Sequence, residues 1–407
     1  MSTAEAVRRA IAARPLPTRG QRVTIAAPDI TRPLDPDATL GPLLEHLSDQ
    51  GHTVTILVAL GLHRPMTAAE LAPMQALADR HGARLLQHTP HDPDSLVTLS
   101  PDVGLSAPHT TGALPSIVHA EIARADHLIC LGTVEPHQYA GFSGGIKTIA
   151  IGCAGAATIG AMHGLHYLRD PRTGVGTLQE NPFQEALWRV VAPLQPDTRV
   201  WALQIVPGPD TPCLHATFGP AREAFVEATN TAAQHLFQTI PAPVPWMRLR
   251  VPPSKAQSFY QASRAATYAA LVHPCALQEG GWLLIDAACP EGVGLGAGEE
   301  ACASAMLRGA DALLAELHDP HHAASPGGGQ QRAYVIARAL QKARIATLGA
   351  PHMPELVAMG IPQFVSFDEA LEALGLEAGG LDVADPFHAV PVAARYSSNS
   401  RARSSDV

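Results

Sequence analysis

One short segment holds most of the chemistry-bearing residues of this chain. Residues 135–148 read Glu-Pro-His-Gln-Tyr-Ala-Gly-Phe-Ser-Gly-Gly-Ile-Lys-Thr and follow an apolar stretch. His137 can transfer protons near neutral pH, because imidazole has the side-chain pKa closest to 7. Lys147 can act as a nucleophilic amine or as a phosphate contact, and the glycines let backbone N–H groups approach a ligand. The segment therefore predicts a site for a small molecule.

Two other polar clusters also follow predicted strands. Asp29-Ile-Thr-Arg-Pro33 comes after a strand predicted over residues 22–28, and Gly61-Leu-His-Arg-Pro-Met-Thr67 comes after one over residues 53–60. Open α/β folds bind ligands at the carboxyl edge of their parallel strands, so all three clusters are expected on one rim. Each cluster alone is equally typical of a turn or a helix cap. The side chains expected on the rim are Asp29, Arg32, His63, Arg64 and His137.

These residue types indicate acid–base chemistry on an anionic substrate. Two histidines that approach a substrate from opposite sides can process both mirror images of a chiral centre. Arg32 offers the planar fork that binds a carboxylate or a phosphate. Gln261 and Arg264 are three residues apart on a predicted helix, so both can reach one anionic ligand, although a solvated helix face would carry the same pair.

Apolar strands alternate with helices, which predicts an α/β fold of two domains, each with a mostly parallel sheet flanked by helices and with the active site in the interdomain cleft. The strands are predicted at 22–28, 53–60, 84–87, 127–133, 199–206, 281–288 and 344–349. Helices are predicted at 38–50, 154–163, 182–193, 219–236, 257–271, 299–317 and 330–343. A further helix is predicted to begin at Thr67, where Glu70 completes a capping box.

A chain of 407 residues is too long for one ordinary core, so two domains are expected. Residues 1–237 are predicted to form an N-terminal cofactor-binding domain, and residues 257–393 a C-terminal domain that contributes substrate contacts. Between them, residues 238–256 carry five prolines and are predicted to be a linker without a helix or a central strand. The polar residues 394–407 are predicted to be a disordered tail.

Composition narrows the class of protein. The formal charge of −9, without a cluster of Lys and Arg, argues against a nucleic-acid partner. There is no apolar run of membrane-spanning length and no apolar core of a signal peptide near Met1, so neither a membrane nor secretion is expected. The six cysteines form no C-x-x-C pair and are expected to be reduced thiols of a cytoplasmic enzyme.

Other motifs leave alternatives open. The Gly141–Thr148 run is similar to a phosphate-binding loop, but Ile146 stands where such a loop needs glycine before its lysine. A phosphotransferase that uses this loop is the main alternative function, and a non-catalytic metal binder is another. Gly292–Ala297 matches the dinucleotide fingerprint weakly, because no strand with an acidic end follows it. His163 and His166 are a weak metal signal.

Taken together, the motifs resemble those of the nickel-dependent lactate racemase family, whose members include 2-hydroxyacid racemases and epimerases. The Asp-x-Thr-Arg-Pro motif is present at residues 29–33, and the family's two catalytic histidines correspond to His63 and His137. The resemblance implies a nickel pincer nucleotide (a pyridinium-3,5-bisthiocarboxylate mononucleotide that holds Ni) attached covalently at Lys147, with His163 as nickel ligand.

The resemblance also implies a mechanism and partners. One histidine would take the proton of the substrate's C2 hydroxyl while hydride leaves C2 for the cofactor, and the planar keto acid can then receive hydride on either face. The residues implied to bind the cofactor are Asp29, Ile30, Thr31, Arg32 and Lys147, and those implied to bind substrate are Arg32, Gln261 and Arg264. The implied partners are a small 2-hydroxy acid and the enzymes that synthesise and load the cofactor.

Two positions depart from the family pattern. The family has Gln-x-x-Lys where this chain has Gln261-Ala-Ser-Arg264, and a guanidinium is larger and planar. Gln331 stands where the family places a tryptophan near the cleft, which predicts a more polar pocket. These two departures leave open which 2-hydroxy acid is the substrate.

Overall fold

The computed structural model describes residues 1–32, 34–104, 112–195, 199–208, 211–319 and 327–394. The strands in chain order are β1 (Arg22–Pro28), β2 (Thr53–Ala59), β3 (Arg84–Gln87), β4 (Leu96–Ser100), β5 (Ser116–His119), β6 (His127–Thr133), β7 (Pro136–His137), β8 (Gly141–Phe142), β9 (Val200–Gly208), β10 (Thr211–Pro220), β11 (Phe237–Ile240), β12 (Val244–Arg250), β13 (Leu277–Asp286), β14 (Arg344–Leu348), β15 (Gln363–Phe364), β16 (Leu381–Val383) and β17 (Val390–Ala393).

Helices cover these strands. In chain order they are α1 (Thr3–Ala13), α2 (Pro36–Asp49), α3 (Ala68–His81), α4 (Ala120–Arg124), α5 (Lys147–Ala150), α6 (Ala156–Met162), α7 (Leu165–Arg169), α8 (Pro182–Val191), α9 (Ala221–His235), α10 (Phe259–Leu271), α11 (Ala297–Met306), α12 (Ala310–His318), α13 (Gln331–Leu340), α14 (Pro354–Ala358) and α15 (Phe367–Leu374). The predicted capping box of Thr67 and Glu70 begins α3.

Two parallel-dominated sheets confirm the predicted fold class. The first has the order β10-β9-β6-β1-β2-β3, in which only β10 is antiparallel to its neighbour. Its central strands bury both faces, because consecutive residues of β1 and β2 alternate between two apolar clusters. The second sheet has the order β15-β14-β13-β12-β16 and is parallel throughout. Such double burial explains why both sheets read as continuous apolar runs in the sequence.

The two halves of the chain touch through apolar and polar contacts. One apolar cluster contains core residues of both sheets. Helix α7 packs against α12 and α13, and the Arg169 guanidinium donates to the backbone carbonyl of Asp319 at 2.6 Å. Strand β17, near the end of the described chain, pairs in parallel with β11. These contacts hold the second sheet against the first, although the predicted domain bounds themselves stay predictions.

The structure corrects the predicted linker. Residues 244–250 form β12, a central strand with a partner on each side, instead of an irregular connection. The prolines do not prevent this, because Pro245 lies where the register with β13 is irregular and Pro252 follows the end of the strand. Proline is tolerated at such positions, since no ladder hydrogen bond needs its missing N–H.

Other differences are local. The helix predicted over 299–317 is two helices, α11 and α12, which meet at Gly309 with a φ of 84°. The hairpin of β4 and β5 and the antiparallel edge strand β10 were not predicted.

The cysteines are free thiols, as expected. Apart from Ala394, the predicted disordered tail lies outside the described residues. Among those residues, none of the helices has the length and apolar character needed to cross a bilayer.

Substitution of Gly144 by alanine tests the tight turn before Lys147. Gly144 has a φ of 84°, and a Cβ there would meet the buried side chain of Gln204 and also lie 2.8 Å from Val134 Cγ2. We expect Gly144→Ala to lower the free energy of unfolding by about 1–3 kcal/mol, measured by urea denaturation. Gly160→Ala is the matched control, because a Cβ there meets nothing within 4 Å and helix α6 favours alanine. Equal stability of the Gly144 variant and the wild type would contradict this packing.

Candidate active site

The three polar clusters lie at one edge of the first sheet. Strands β6, β1 and β2 are neighbours and parallel, and the clusters follow their carboxyl ends. Asp29 therefore comes directly after the central strand of the three, with His63 and His137 following the strands on either side. The predicted convergence at one rim is confirmed by this topology.

Asp29 and His63 form a hydrogen-bonded pair. His63 Nδ1 lies 2.6 Å from Asp29 Oδ2, and the Thr31 hydroxyl donates to Asp29 Oδ1 at 2.5 Å. Burial opposes ionisation of Asp29, but the hydrogen bonds from His63 and Thr31 hold its pKa below the ordinary value. An ionised Asp29 accepts the Nδ1 proton, so the lone pair of His63 is on Nε2. Because the His63 side chain is 57% exposed, this lone pair is accessible as a proton acceptor.

Two other residues near this rim have structural environments. Arg64 forms a bidentate pair with Glu70 at 2.7 and 2.8 Å, and Glu70 also caps α3. Arg64 follows β2 at the rim, with its guanidinium engaged by the carboxylate that caps α3. Ile30 is 51% exposed, so its apolar side chain is available to a ligand or to solvent.

His137 and Lys147 are in direct contact. Lys147 Nζ lies 2.6 Å from His137 Nε2, while His137 Nδ1 accepts hydrogen bonds from the backbone N–H groups of Tyr139 and Ala140, both at 3.2 Å. A neutral imidazole whose Nδ1 accepts must carry its proton on Nε2. His137 Nε2 then donates to Lys147, which can accept only as an uncharged amine.

The electrostatics of the site favour the same protonation states. Burial lowers the pKa of Lys147 well below the ordinary lysine value, and the guanidinium groups of Arg32 and Arg264 lower it further. Burial likewise lowers the pKa of His137 well below its ordinary value, and the guanidinium groups of Arg32 and Arg264 act in the same direction. An uncharged lysine amine is nucleophilic, so the lowered pKa suits Lys147 to covalent attachment of a ligand.

His163 presents one ring nitrogen for a ligand. It caps the end of α6, and its Nδ1 donates to the Ile159 carbonyl at 2.8 Å, so its Nε2 carries the lone pair. Burial lowers the pKa of His163. A metal-binding histidine commonly has its other ring N–H fixed by a carbonyl in this way. In the described ranges no cluster of three or more His, Cys, Asp or Glu could hold a metal ion.

Tyr139 lies between His137 and His163. Its ring centroid is 6.0 Å from that of His137 and 6.1 Å from that of His163. Its hydroxyl is buried and, within the described part of the chain, has no hydrogen-bond partner. A buried hydroxyl without a partner is costly unless a ligand or water completes it.

A cavity of about 120 Å³ lies between the two halves of the chain. His137 and Arg32 line it from the first sheet, and Arg264 on α10 lines it from the second half. Gln261 is half-buried on α10 but is not among the lining residues. His63 also lies outside the lining, and among the described residues it makes no hydrogen bond or ring contact with His137. The structure thus brings His137, Lys147, Arg32 and Arg264 together and places His63 on the same rim.

Several residues around this cavity were missed at the sequence level as site residues. His388 lies between Asp385 and Glu135, at 2.8 and 3.1 Å from their carboxylates. Lys255 also lines the cavity, and burial lowers its pKa. Arg332 is only 1% exposed and donates to the side chain of Gln138 across the two halves. No local motif marks these residues, because they reach the site only through the packing of the second half.

The glycine-rich segments do not form anion cradles. The Ser143 N–H donates to the Glu135 carbonyl at 2.8 Å, and the Gly145 N–H donates to Gln204 at 2.7 Å, so these donors are already used. At the second segment, the Glu299 carboxylate accepts from the Gly296 N–H at 3.0 Å and occupies the start of α11. Neither a phosphate loop nor a dinucleotide site is supported by these contacts.

The fold and site together define a two-sheet α/β protein with a cavity lined by Arg32, Arg264 and His137, and comparison with known proteins specifies it further. Residues 2–176 match the lactate racemase N-terminal domain family. The lactate racemase of Lactiplantibacillus plantarum is 32% identical over 165 residues, which are 39% of this chain and 36% of that protein. The lactate racemase of Thermoanaerobacterium thermosaccharolyticum is 30% identical over 168 residues, 40% of this chain and 37% of that protein. The aligned stretch thus spans little more than a third of these relatives.

Solved structures extend the likeness to nearly the whole fold. The lactate racemase apoprotein from Thermoanaerobacterium thermosaccharolyticum superposes with a TM-score of 0.80 and 20% identity, over 96% of this chain and 93% of that one. A protein from Thermotoga maritima superposes with a TM-score of 0.70 and 15% identity, over 96% and 97%. The resemblance to the lactate racemase family is confirmed, in sequence for residues 2–176 and in fold for nearly all of the chain.

The protonation state of Lys147 is directly measurable, because the chain has only three lysines, Lys147, Lys255 and Lys342. We expect the side-chain NMR signal of Lys147 to titrate well below the ordinary lysine range, since burial and two nearby guanidinium groups disfavour its charged form. Lys147→Met assigns the signal by removing it. Titration of Lys147 in the ordinary range of an exposed lysine would contradict the assignment of an uncharged amine.

Proposed function

We propose that this protein is a racemase or epimerase that inverts C2 of a 2-hydroxy acid with a nickel pincer nucleotide attached at Lys147. The observation that carries the proposal is the contact between His137 and Lys147, in which a proton-transfer group lies against a buried, uncharged amine. The lactate racemase names of the sequence relatives support the choice of reaction. Loading by cofactor-synthesis enzymes and a location in the cytoplasm belong to the same proposal.

The residues present fit this cofactor. Lys147 would form the covalent attachment, because burial and the nearby guanidinium groups favour its uncharged, nucleophilic amine. His163 would bind nickel through Nε2, the nitrogen that its contact with Ile159 leaves available. The ring of Tyr139 contacts the rings of both His137 and His163, so it packs beside the residues that would hold the group. When bound, the group would supply the acceptor for a hydride from C2, which no protein side chain can supply.

His63 and His137 would handle the proton of the C2 hydroxyl. His63 presents its Nε2 lone pair, with Asp29 holding the opposite ring nitrogen, so it is ready to accept a proton. While Lys147 is a free amine, the Nε2–H of His137 donates to it. When the amine is used for attachment, His137 would lose this acceptor, and its Nε2–H would be available to the substrate. The two imidazoles thus begin in complementary states, one as acceptor and one as donor.

Arg32 and Arg264 would bind the substrate carboxylate. Both guanidinium groups line the cavity, and a carboxylate accepts two parallel hydrogen bonds from such a group. Arg264 lies near the Tyr260 ring, 5.9 Å from its centroid, so an aromatic face restricts its position. Gln331 has a buried amide oxygen without a partner among the described residues. Gln331 is not among the residues that line the cavity, so it gives no support for a more polar substrate than lactate.

The alternative of a phosphotransferase loses support. Its phosphate loop would need free backbone donors in the Gly141–Thr148 run, yet the N–H groups of Ser143 and Gly145 are used within the protein. The lysine of that loop is directed at His137, where it meets an imidazole.

Loading the protein in a host that carries the cofactor-synthesis enzymes tests the proposal. We expect about one nickel per chain and a mass adduct on the peptide that contains Lys147, and Lys147→Ala should lack the adduct. Loaded protein should invert C2 of short hydroxy acids with the C2 hydrogen retained, because hydride returns to the same carbon. Nickel-free, unmodified protein that racemises equally well, or exchange of the C2 hydrogen with solvent, would overturn the proposal.

Variants of the two histidines divide the proton-transfer roles. We expect His63→Ala and His137→Gln each to lower kcat by about 10²–10⁴-fold, the usual worth of a general acid or base. His235→Gln, at the exposed end of α9, is the matched control and should retain full activity. Retention of the Lys147 adduct must be checked in each variant by mass spectrometry. A loaded His63 variant with wild-type kcat in both directions would remove His63 from the mechanism.

A further inference from the structure

The loop that carries His137 is held from the opposite half of the chain by a buried ion cluster. His388 Nε2 lies 3.1 Å from Glu135 Oε1, and His388 Nδ1 lies 2.8 Å from Asp385 Oδ2. The His388 side chain is 22% exposed, and the two carboxylates are similarly covered. Glu135 and His388 are 253 residues apart in the chain, so this contact connects the rim of the first sheet to the C-terminal segment.

Both ring nitrogens of His388 face carboxylates, which determines its charge. A neutral imidazole has one N–H and could satisfy one carboxylate, whereas an imidazolium has two and satisfies both. Burial lowers the pKa of His388, but the hydrogen bonds and charges of Asp385 and Glu135 outweigh burial and raise it to about 9. The same contacts hold the pKa values of Glu135 and Asp385 below the ordinary range against the effect of burial.

The segment that carries His388 is itself fixed. Strand β17 begins two residues later and pairs with β11, and the Val390 N–H donates to the Leu236 carbonyl at 2.9 Å. The Phe387 ring packs edge-on against Tyr268 on α10, with centroids 6.0 Å apart. Asp385 also accepts the backbone N–H of Phe387 at 3.0 Å. The imidazole therefore projects from a rigid support.

Glu135 passes this constraint to His137. Its backbone exchanges hydrogen bonds with Ser143, at 3.0 Å from its N–H to the Ser143 hydroxyl and 2.8 Å from the Ser143 N–H to its carbonyl. His137 is two residues further along, in the short strand β7 that pairs with β8. On the other side of His137, Gln138 accepts from the buried Arg332. Side chains of the second half thus hold the loop on both sides of His137.

We propose that His388 is a positioning residue, whose imidazolium joins Asp385 to Glu135 and so fixes the loop that holds His137 at the cavity. His388 lines the same cavity, but the proposal assigns it no proton transfer with the substrate. Loss of the imidazolium would remove the side-chain donor that Glu135 and Asp385 share and leave two partly buried carboxylates without the charge that offsets their repulsion, so Glu135 and the His137 loop would move. The effect on catalysis rests on the proposed function, whereas the effect on the His137 environment does not.

The charges that face this cluster set its pH range. Arg32 and Lys255 face Glu135, Lys255 also faces Asp385, and Arg32 and Arg264 lie close to Lys255. Because the pKa of His388 is raised, the stability that its imidazolium gives to the folded loop is complete below the ordinary histidine value of 6.5. This stability is lost as the pH rises through about 9. Because the pKa values of Glu135 and Asp385 are lowered, the stability that these carboxylates give to the folded loop is lost in acid. The loop should therefore be held across the neutral range.

Imidazole NMR on the unloaded protein tests the positioning directly. With ring-labelled histidine at neutral pH, we expect both nitrogens of His388 to be protonated and its titration to lie near pH 9, as the bridge requires. His388→Gln should shift the ring signals of His137, whereas His215→Gln should not. His215 is a matched control because it also contacts a carboxylate, Glu227, at 3.2 Å, on β10 away from the cavity.

Two results would overturn the inference. One is titration of His388 in the ordinary histidine range, and the other is unchanged His137 signals in a folded His388→Gln variant. If His388→Gln does not fold, Glu135→Gln replaces it, because it removes one charge while keeping a hydrogen-bond acceptor of the same shape. It should lower the pKa of His388 and shift the His137 signals, and the absence of both changes would equally refute the bridge.

Kinetics of the loaded enzyme separate positioning from a purely structural role. We expect His388→Gln to lower kcat by about tenfold or more and to change KM by less than about threefold, because a displaced His137 slows proton transfer without removing the substrate ligands. Equal kcat for this variant and wild type would refute the inference while leaving the proposed function intact. An inactive loaded wild type would refute the proposed function alone, since the NMR comparison still tests the bridge.

Discussion

The site depends on a buried amine that is kept without charge. A lysine in water is protonated at neutral pH, and burial of that charge without a partner carboxylate is strongly unfavourable. Here Lys147 is buried beside two guanidinium groups and against an imidazole whose Nδ1 is held by backbone donors. Each of these features disfavours the ammonium form. The fold thus stores a reactive nucleophile at the carboxyl edge of its first sheet.

The same edge concentrates positive charge around the cavity. Arg32 and Arg264 come from different halves of the chain, and the two carboxylates of the cavity wall, Glu135 and Asp385, are bound to His388. The guanidinium groups therefore remain available to an anionic ligand. Such an arrangement costs stability when the cavity holds no anion, because like charges are brought together in a partly desolvated space. Charged groups that are held close together at a cost in stability are commonly found at functional sites.

The sequence was sufficient to predict those parts of the site whose structure is determined by local sequence pattern. The clusters after β1, β2 and β6 were predictable, because a parallel sheet brings the ends of its strands to one edge whatever lies between them. The cap of α3 was likewise predictable from Thr67 and Glu70, although the sequence did not show that Glu70 also pairs with Arg64. His388, Lys255 and Arg332 were not, since nothing in their neighbouring residues says which loop they will meet. The prolines around β12 led to the wrong prediction that these residues form no central strand. The register between β12 and its neighbouring strands decides where a missing N–H is tolerated, and the sequence alone does not show that register.

The most direct test of the account is a crystal structure of the loaded protein with anomalous diffraction measured at the nickel edge. The account predicts a nickel peak at about 2.0–2.1 Å from His163 Nε2 and continuous density from Lys147 Nζ into the cavity beside His137. A nickel peak bound elsewhere, or a free Lys147 amine in protein that contains nickel and is active, would contradict it.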